Sequence, residues 1–161
     1  MEVPAIIDLE ASGFGRGSYP IEVGIALADG SVHALLIQPA EGWVHWDEKA
    51  EGIHGISRDY LMEHGKSPRE VAIYLNDLCG GMTLYSDAWS FDSSWLGRLF
   101  DEAEIIQRFK LDTLTRLLNE DEMTIWSDTK DAMVKHLGLE MHRAANDVTL
   151  LRETYKKIKT A

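Results

Sequence analysis

Two carboxylates stand at i and i+2 at the end of an apolar run near the start of the chain, residues 5–10. Side chains alternate between the two faces of a strand, so Asp8 and Glu10 would point the same way if this run is a strand. Two acids on one face repel each other unless a positive charge lies between them. Magnesium takes hard oxygen ligands and often uses only one or two carboxylates. The pair therefore indicates a metal site, unless the strand simply ends in solvent.

Further residues suited to the same chemistry lie far away in the chain. Asp92 follows a predicted strand over 82–85 and begins a predicted helix, where it is either a functional acid or an N-cap. Asp87 lies close by and competes with it for any metal role. Asp147 falls in the first turn of the last predicted helix, beside that helix's apolar stripe, where an acid needs a partner. His142 precedes that helix, and histidine suits a general base near neutral pH, although a lone histidine is usually a surface or capping residue.

The hydrophobic pattern predicts the elements that carry these residues. Strands are predicted at 3–9, 21–28, 32–38, 82–85 and 105–110, and helices at 57–63, 67–79, 92–100, 112–120, 128–137 and 144–159. Asp29-Gly30 predicts a type I′ hairpin between the second and third strands. The first three strands are therefore predicted to be antiparallel neighbours in a mixed five-stranded sheet flanked by helices, an α/β fold.

Length and composition indicate one globular domain over residues 1–161. Hydrophobic residues make up 45% of the chain, and the one cysteine, Cys79, excludes an internal disulfide and a cysteine-based zinc cluster. We find no signal-peptide pattern and no apolar run of membrane-spanning length, so we expect a soluble, cytoplasmic protein with no membrane partner. The net charge of −11 argues against a broad grip on nucleic-acid backbone, but not against an enzyme that handles short segments or ends.

Taken together and in order, the acidic residues resemble a known set of motifs. Asp8-x-Glu10 on a first strand, Phe91-Asp92 after a middle strand and His142-x₄-Asp147 entering a last helix resemble the DEDDh family of 3′–5′ exonucleases. The resemblance covers nearly the whole chain. Residues 8–14 are similar to the first motif of RNase T and oligoribonuclease, and the Ile-His-Gly-Ile run at 53–56 is similar to a segment of many members. The resemblance implies an RNase H-like fold.

The resemblance also implies roles for the five residues. Asp8 would bridge two divalent metal ions, Mg²⁺ with Mn²⁺ as a substitute. Glu10 and Asp147 would hold the ion that carries the attacking water, and Asp92 would serve the second ion. His142 would take the proton from that water. Two such ions stabilise the attacking and leaving oxygens of an in-line phosphoryl displacement.

Substrate contacts are implied on the loop after the first strand and in the Ile-His-Gly-Ile run. The residues concerned are Ala11, Ser12, Gly13, Phe14 and His54. Phe14 or His54 would stack on or abut a base, which contributes about 1–3 kcal/mol per base; loop packing is the alternative for Phe14. Trp43, Trp46 and Trp89 could also stack, although we favour a core or dimer contact for each.

Two positions depart from the family pattern. Ser12 stands where members often have threonine, which keeps the hydroxyl. Many members carry His-Asn upstream of the aspartate that corresponds to Asp92, whereas this chain reads Ser86-Asp87-Ala88-Trp89, which puts the residues around the metal ligands, and substrate choice, in question.

The sequence thus predicts a metal-dependent 3′–5′ exonuclease that acts on short or single-stranded nucleic-acid ends. RNA is favoured over DNA through the likeness to RNase T and oligoribonuclease. The alternatives are a phosphodiesterase specific for dinucleotides or short oligonucleotides and a non-catalytic nucleic-acid-binding module on the same fold. A homodimer, as in close relatives, is a further expectation.

Overall fold

The computed structural model describes residues 2–161. The strands are β1 (Ile6–Ala11), β2 (Pro20–Ala26), β3 (Val32–Leu36), β4 (Thr83–Ser86) and β5 (Lys110–Thr113). The helices are α1 (Glu48–His54), α2 (Arg58–His64), α3 (Pro68–Cys79), α4 (Trp89–Ala103), α5 (Glu120–Leu137) and α6 (Ala144–Lys159), with a 3₁₀ turn at Leu114–Leu117. Within residues 2–161, no helix is both long and apolar enough to span a membrane.

The five strands form one mixed sheet in the order β3-β2-β1-β4-β5. β1, β2 and β3 are antiparallel neighbours, whereas β4 runs parallel to β1 and β5 runs parallel to β4. This confirms the predicted α/β architecture, including the antiparallel first three strands. β1 lies at the centre of the sheet, so its side chains meet helices on both faces.

The two faces of β1 explain where its acids point. Ile7 and Leu9 are buried in the main core with α3 and α4. Ile6 is buried on the opposite face against apolar residues of α6. Burying each such side chain contributes on the order of 1.5–3 kcal/mol, which fixes the register of the strand. Asp8 and Glu10 share the face of Ile6 because of the strand's alternation, and so they lie on the α6 side of the sheet.

The β2–β3 hairpin forms as predicted, with different bounds and a different turn. The strands were predicted at 21–28 and 32–38. The Leu27 N–H donates to Ser31 O at 2.9 Å and the Gly30 N–H donates to Leu27 O at 2.9 Å. Gly30 has φ +91°, whereas Asp29 keeps a negative φ. A three-residue loop with glycine in the left-handed position replaces the predicted type I′ turn, which requires two positive φ angles.

The prediction of a strand at 105–110 was wrong in position. Residues 105–109 form a loop that the side chain of Asn76 holds in place: Nδ2 donates to Ile106 O at 2.8 Å, and Oδ1 accepts from the Arg108 N–H at 2.9 Å. Phe109 is buried, but as the last loop residue before β5. Burial alone does not distinguish a strand from a loop that covers the core.

The region 112–137 also differs from the prediction of two helices at 112–120 and 128–137. One helix, α5, begins after Asn119, whose side chain accepts from the Glu122 N–H while the Glu122 carboxylate accepts from the Asn119 N–H. This capping box starts the helix eight residues before the predicted start. The apolar pattern of α5 is weak because the helix is mainly polar, which is why hydrophobic periodicity did not find its first half.

Helix α3 begins and ends where it was predicted to. Ser67 accepts from the Glu70 N–H, Pro68 occupies the first helical position and the helix ends at Cys79 before Gly80. Burial raises the pKa of the Cys79 thiol to about 11, so the thiol is a core group with little thiolate character. The limits of α6 also match the predicted 144–159.

Candidate active site

Three of the predicted metal-ligating carboxylates converge at one point. One oxygen each from Asp8, Glu10 and Asp147 lies within 4.8 Å of the other two. Asp8 and Glu10 come from β1, and Asp147 comes from the first turn of α6, at the opposite end of the chain. The packing of α6 on the acidic face of β1 therefore brings together residues that are distant in sequence.

A glycine in β2 permits this close packing. Gly24 pairs with Asp8 across the β1–β2 ladder. A Cβ at Gly24 would lie 2.7 Å from the carbonyl carbon and oxygen of Ala144, the first residue of α6. Backbone cannot move aside as a flexible side chain can, so only glycine lets this end of α6 approach the sheet. Gly24 thereby helps to set the distance between Asp147 and the acids of β1, a role the sequence reading missed although glycine inside a strand signals a close approach.

The electrostatics of the cluster favour a bound cation. Burial, followed by repulsion from Asp92 and Asp147, raises the pKa of Asp8 well above its ordinary range. Burial, followed by the adjacent Asp147 carboxylate, raises the pKa of Glu10 to about 9. The Oδ2 atom of Asp8 is buried with no hydrogen-bond partner among the described residues. An orphaned carboxylate oxygen in an all-carboxylate donor set fits a hard divalent cation such as Mg²⁺.

Asp92 is a buried acid of the same site and not an N-cap. It is 1% exposed, and α4 begins after Ala88, which makes no side-chain cap. The Ser86 hydroxyl donates to Asp92 Oδ2 at 2.6 Å and accepts from the Ala88 N–H. Burial raises the pKa of Asp92 to about 7, although the Ser86 hydrogen bond opposes the shift. Ser86, part of the noted departure from the family pattern, therefore orients the fourth acid.

His142 lies at the mouth of the site, exposed and in an unusual backbone conformation. Its φ is +68°, and its N–H donates to Asp147 Oδ1 at 2.9 Å. A non-glycine residue with positive φ is uncommon, and such strain concentrates at functional sites. The imidazole lines two cavities that flank the carboxylates. It is thus placed beside, and not inside, the carboxylate cluster, where it can accept a proton.

An ion pair holds the segment that carries His142. The Arg143 guanidinium donates to both carboxylate oxygens of Glu22, with Nη2 2.8 Å from Oε2, and the Ala144 N–H donates to Oε1 at 2.8 Å. Glu22 is buried and lies directly opposite Glu10 in the β1–β2 ladder. Bidentate arginine–carboxylate pairs stabilise the fold and also fix the relative orientation of the two side chains. Nothing in the sequence indicated this pair, because its partners are far apart in the chain.

A cavity of about 360 Å³ adjoins the carboxylates on the side of α1 and α4. Ala11, Gly13, Phe14 and His54 line it, as the resemblance implied. Aromatic rings of α4 join them, and neighbouring centroids lie 5.0 Å apart for Phe14–Phe91 and 5.7 Å apart for Phe91–Trp95. Phe14 is 67% exposed, so its packing on α4 leaves most of the ring free. The wall formed by Phe14, Phe91 and Trp95 is called here the aromatic wall.

Ser12, in contrast, is fully buried and does not line this cavity. Its hydroxyl lies 2.8 Å from His45 Nδ1 and accepts from the Tyr19 N–H. Its backbone N–H donates to Tyr19 O and its carbonyl accepts from the Asp47 N–H. These bonds use every polar group of Ser12. Ser12 therefore supports the loop that presents Gly13 and Phe14, and a direct contact of Ser12 with substrate stays a prediction.

His54 is buried and lies on the border of the same cavity. Its Nδ1 accepts from the Ile56 N–H at 3.0 Å, so the proton of the neutral ring is on Nε2. Nε2 is buried and has no hydrogen-bond partner within residues 2–161. Burial lowers the pKa of His54, which favours this neutral form. His54 is therefore a neutral, buried ring on the border of the cavity, and its contact with a base stays a prediction.

The three tryptophans of uncertain role are in different environments. Trp43 is buried and stacks on Tyr19 at 5.3 Å, which makes it a core residue and removes it as a dimer contact. Trp46 is half-buried, and its Nε1 donates to Glu51 at 2.8 Å. Trp89 is exposed apart from a hydrogen bond to Leu111 O. None of the three lines the cavity beside the aromatic wall, as far as the described residues go.

Comparison with solved structures identifies the fold. E. coli Exonuclease I in complex with a dA16 oligonucleotide aligns with a TM-score of 0.74 at 14% identity, covering 99% of this chain and 41% of that chain. The zinc-bound complex of E. coli Exonuclease I with single-stranded DNA gives 0.75 at 14% identity, with the same coverage. Exonuclease I from Methylocaldum szegediense gives 0.66 at 16% identity, covering 98% and 42%. The chain has the Exonuclease I fold.

This result confirms the RNase H-like fold class. The chain spans about two fifths of the length of the Exonuclease I structures that it matches. No family model and no curated protein sequence matches the chain. The particular likeness to RNase T and oligoribonuclease stays a prediction from sequence.

The raised carboxylate pKa values predict how Mg²⁺ and pH together affect stability. Glu10 has an ordinary pKa of 4.5 and a folded value of about 9. Between these values the folded chain holds a proton that the unfolded chain releases, so the free energy of unfolding falls as pH rises, by up to about 1.4 kcal/mol per pH unit. Bound Mg²⁺ stabilises the ionised form, so the increase in Tm on adding Mg²⁺ should be larger at pH 8.5 than at pH 5.5.

Thermal unfolding followed by circular dichroism, in EDTA and in Mg²⁺, measures this difference. An Asp101→Asn variant, which removes an exposed acid on α4, should show the parental response to Mg²⁺. An increase in Tm that is the same at both pH values would show that the cluster is not where Mg²⁺ binds.

Proposed function

We propose that this chain forms a single divalent-metal-dependent 3′–5′ exonuclease domain acting on single-stranded nucleic acid. The observation that carries the proposal is the convergence of Asp8, Glu10 and Asp147 within 4.8 Å, beside an open cavity. Asp92, which borders that cavity together with Asp8 and Glu10, is the fourth acid of the site. The fold shared with Exonuclease I supports the same class of activity. The five residues predicted from sequence then take the catalytic and metal-binding roles.

The chemistry follows from the placement of these groups. Phosphodiester hydrolysis needs charge stabilisation and positioning more than a covalent nucleophile. Asp8, Glu10, Asp92 and Asp147 would hold divalent cations, which supply positive charge at the scissile phosphate when bound. His142, at the mouth of the site, accepts the proton of the attacking water. The Glu22–Arg143 pair keeps the His142 segment docked on β2.

The cavity beside the aromatic wall suits the terminal nucleotide. Its volume of about 360 Å³ lies in the range of small-ligand sites. The exposed face of Phe14 offers a stacking surface that every base can use. His54 lies on the cavity's border and would abut the base there. The wall gives affinity without sequence preference.

Replacing Phe14 by alanine tests the stacking role. Stacking of one base contributes about 1–3 kcal/mol, so KM for a short strand should rise about tenfold while kcat changes little. Initial rates on a labelled oligonucleotide measure both constants. Ile106→Ala is the matched control, because Ile106 is 78% exposed in the loop before β5 and lines none of the site's cavities. An unchanged KM for Phe14→Ala would show that the terminal base binds elsewhere.

A time course on 5′-labelled single strands tests the function itself. We expect a ladder that shortens one nucleotide at a time from the 3′ end in Mg²⁺ or Mn²⁺ and stops in EDTA. Cleavage only of dinucleotides would favour a phosphodiesterase for short products, and binding without cleavage would favour a non-catalytic module. Internal cuts, or shortening from the 5′ end, would overturn the proposal.

The substrate is either RNA or DNA. The sequence resemblance to RNase T and oligoribonuclease favours RNA. DNA is favoured by a separate observation, because the Exonuclease I structures that share the fold include complexes with deoxyribo-oligonucleotides. Matched RNA and DNA strands of one sequence, assayed side by side, separate the two. The ratio of kcat/KM for the two strands gives the preference directly.

A further inference from the structure

A second cavity adjoins the carboxylates on the side of α5. It has a volume of about 330 Å³ and is bordered by Asp8, His142 and Asp147 at the site. Asp87 and Lys130 lie on its border as well. The catalytic residues thus separate two cavities, of which the one beside the aromatic wall accounts for the terminal nucleotide only.

A third cavity lies next to the second. A cavity of about 270 Å³ between the 3₁₀ turn and α5 is lined by Asp87 and Lys130, the same two residues that border the second cavity. Its other walls include Leu118 and Trp126. The two cavities therefore lie next to each other against α5, and the second cavity reaches the carboxylates. The two adjacent cavities, whose walls include Asp87, Leu118, Trp126, Lys130, Asp131 and Val134, are together called here the α5 trough.

Helix α5 is open along the trough to an unusual degree. It has 18 residues, all within the described range, and none of them is buried. Trp126, Lys130 and Val134 recur every four residues and so share one face of the helix, the face that lines the trough. A helix of this length in a globular domain usually buries an apolar stripe against the core. The half-open face of α5 leaves room for a ligand.

Lys130 gives the trough its positive charge. Among the described residues that line the three cavities around the site, it is the one lysine or arginine. Its Nζ lies 3.7 Å from Asp87 Oδ2, an ion pair too long for a strong hydrogen bond. Lys130 has three donors and is about one third exposed, so it can keep Asp87 as a neighbour and still bind an anion.

We propose that the α5 trough binds the strand on the 5′ side of the scissile bond, and that Lys130 binds the next phosphodiester upstream. The inference rests on the proposed function. Bound cations neutralise the scissile phosphate, but the upstream phosphate meets a chain of net charge −11 and needs a cation of its own. Trp126 and Leu118 further along the trough offer apolar contact to sugar and base. The ligand is a single-stranded nucleic acid at least two phosphodiesters long.

Lys130→Gln tests the inference with two substrates. One is a trinucleotide, and the other is the p-nitrophenyl ester of thymidine 5′-monophosphate, which has the scissile bond and terminal nucleoside but no upstream phosphate. We expect KM for the trinucleotide to rise about tenfold, the size of one lost charged hydrogen bond. KM and kcat for the ester should stay parental. The salt dependence of log KM for the trinucleotide should become shallower by about 0.7, the value of one phosphate contact on a single strand.

Two further variants make the result specific. Lys130→Arg keeps the charge and should retain most of the affinity for the trinucleotide. Lys135→Gln removes an exposed lysine of α5 that lines none of these cavities, and should leave both substrates unaffected.

These measurements distinguish failure of the inference about Lys130 from failure of the proposed function. A Lys130→Gln chain that is parental on the trinucleotide would overturn the inference. Equal impairment on both substrates would also overturn it, because Lys130 would then only support Asp87 and the carboxylates. A parental chain that cleaves neither substrate would overturn the proposed function, and this inference with it.

Discussion

Asp8→Asn is expected to abolish turnover, lowering kcat by on the order of 10³-fold or more, as losses of one preorganised electrostatic group do. Asp8 is buried, and its Oδ2 has no partner among the described residues. Asparagine keeps the shape but removes the charge that a divalent cation needs. Divalent-metal affinity, measured by calorimetry, should fall together with the rate on a labelled strand.

The same substitution should not destabilise the metal-free protein. Burial and the neighbouring acids already raise the pKa of Asp8, so the charged form is unfavourable in the fold. A neutral amide removes this repulsion, and Tm in EDTA should stay parental or rise. Asp101→Asn, at an exposed position of α4, is the control and should change neither activity nor Tm. Parental activity in Asp8→Asn would remove this carboxylate from the mechanism, and a large loss of Tm would show that Asp8 is needed for folding.

His142→Ala should slow turnover by roughly 10²–10⁴-fold, the usual contribution of a general base, while metal binding stays parental. The imidazole is exposed at the mouth of the site and makes no contact that the core depends on, so Tm should change little. Single-turnover rates and calorimetric metal titrations on the same preparations separate the two effects.

The backbone conformation of His142 calls for a second variant. Its φ of +68° suits asparagine better than alanine, so His142→Asn keeps the loop geometry while removing the base. Both variants should be equally slow if the imidazole is what matters. His136→Ala removes an exposed histidine of α5 and is the control. A parental rate in His142→Asn, with loss only in His142→Ala, would assign the effect to loop geometry and not to proton transfer.

The acids of the site could be predicted from sequence because their spacing along a strand or a helix determines which face their side chains share. Alternation along β1 places Asp8 and Glu10 on one face, and helical periodicity places Asp147 beside the buried stripe of α6. The limits of α6 could be predicted for the same reason, since its apolar stripe is regular. These are local patterns, and the fold preserves them.

The supporting residues could not be predicted because they depend on contacts between distant segments. Ser86 orients Asp92, and Glu22 pairs with Arg143 across 121 residues. Gly24 shows a signal in sequence, a glycine inside a strand, but the helix that approaches it is evident only in the fold. Ser12 shows that a motif position alone does not give a residue's environment. Its place in the motif indicated substrate contact, whereas in the fold it is buried and hydrogen-bonded to Tyr19 and its neighbours.

We propose that Asp8, Glu10, Asp92 and Asp147 form a divalent-metal centre at which the product of hydrolysis binds. Diffraction at the manganese absorption edge from crystals grown with Mn²⁺ and a nucleoside 5′-monophosphate would locate this centre. We expect two anomalous peaks bounded by these four carboxylates, with the phosphate against them and the base on the aromatic wall. Anomalous peaks elsewhere, or none at the four carboxylates under conditions that support cleavage in solution, would contradict it.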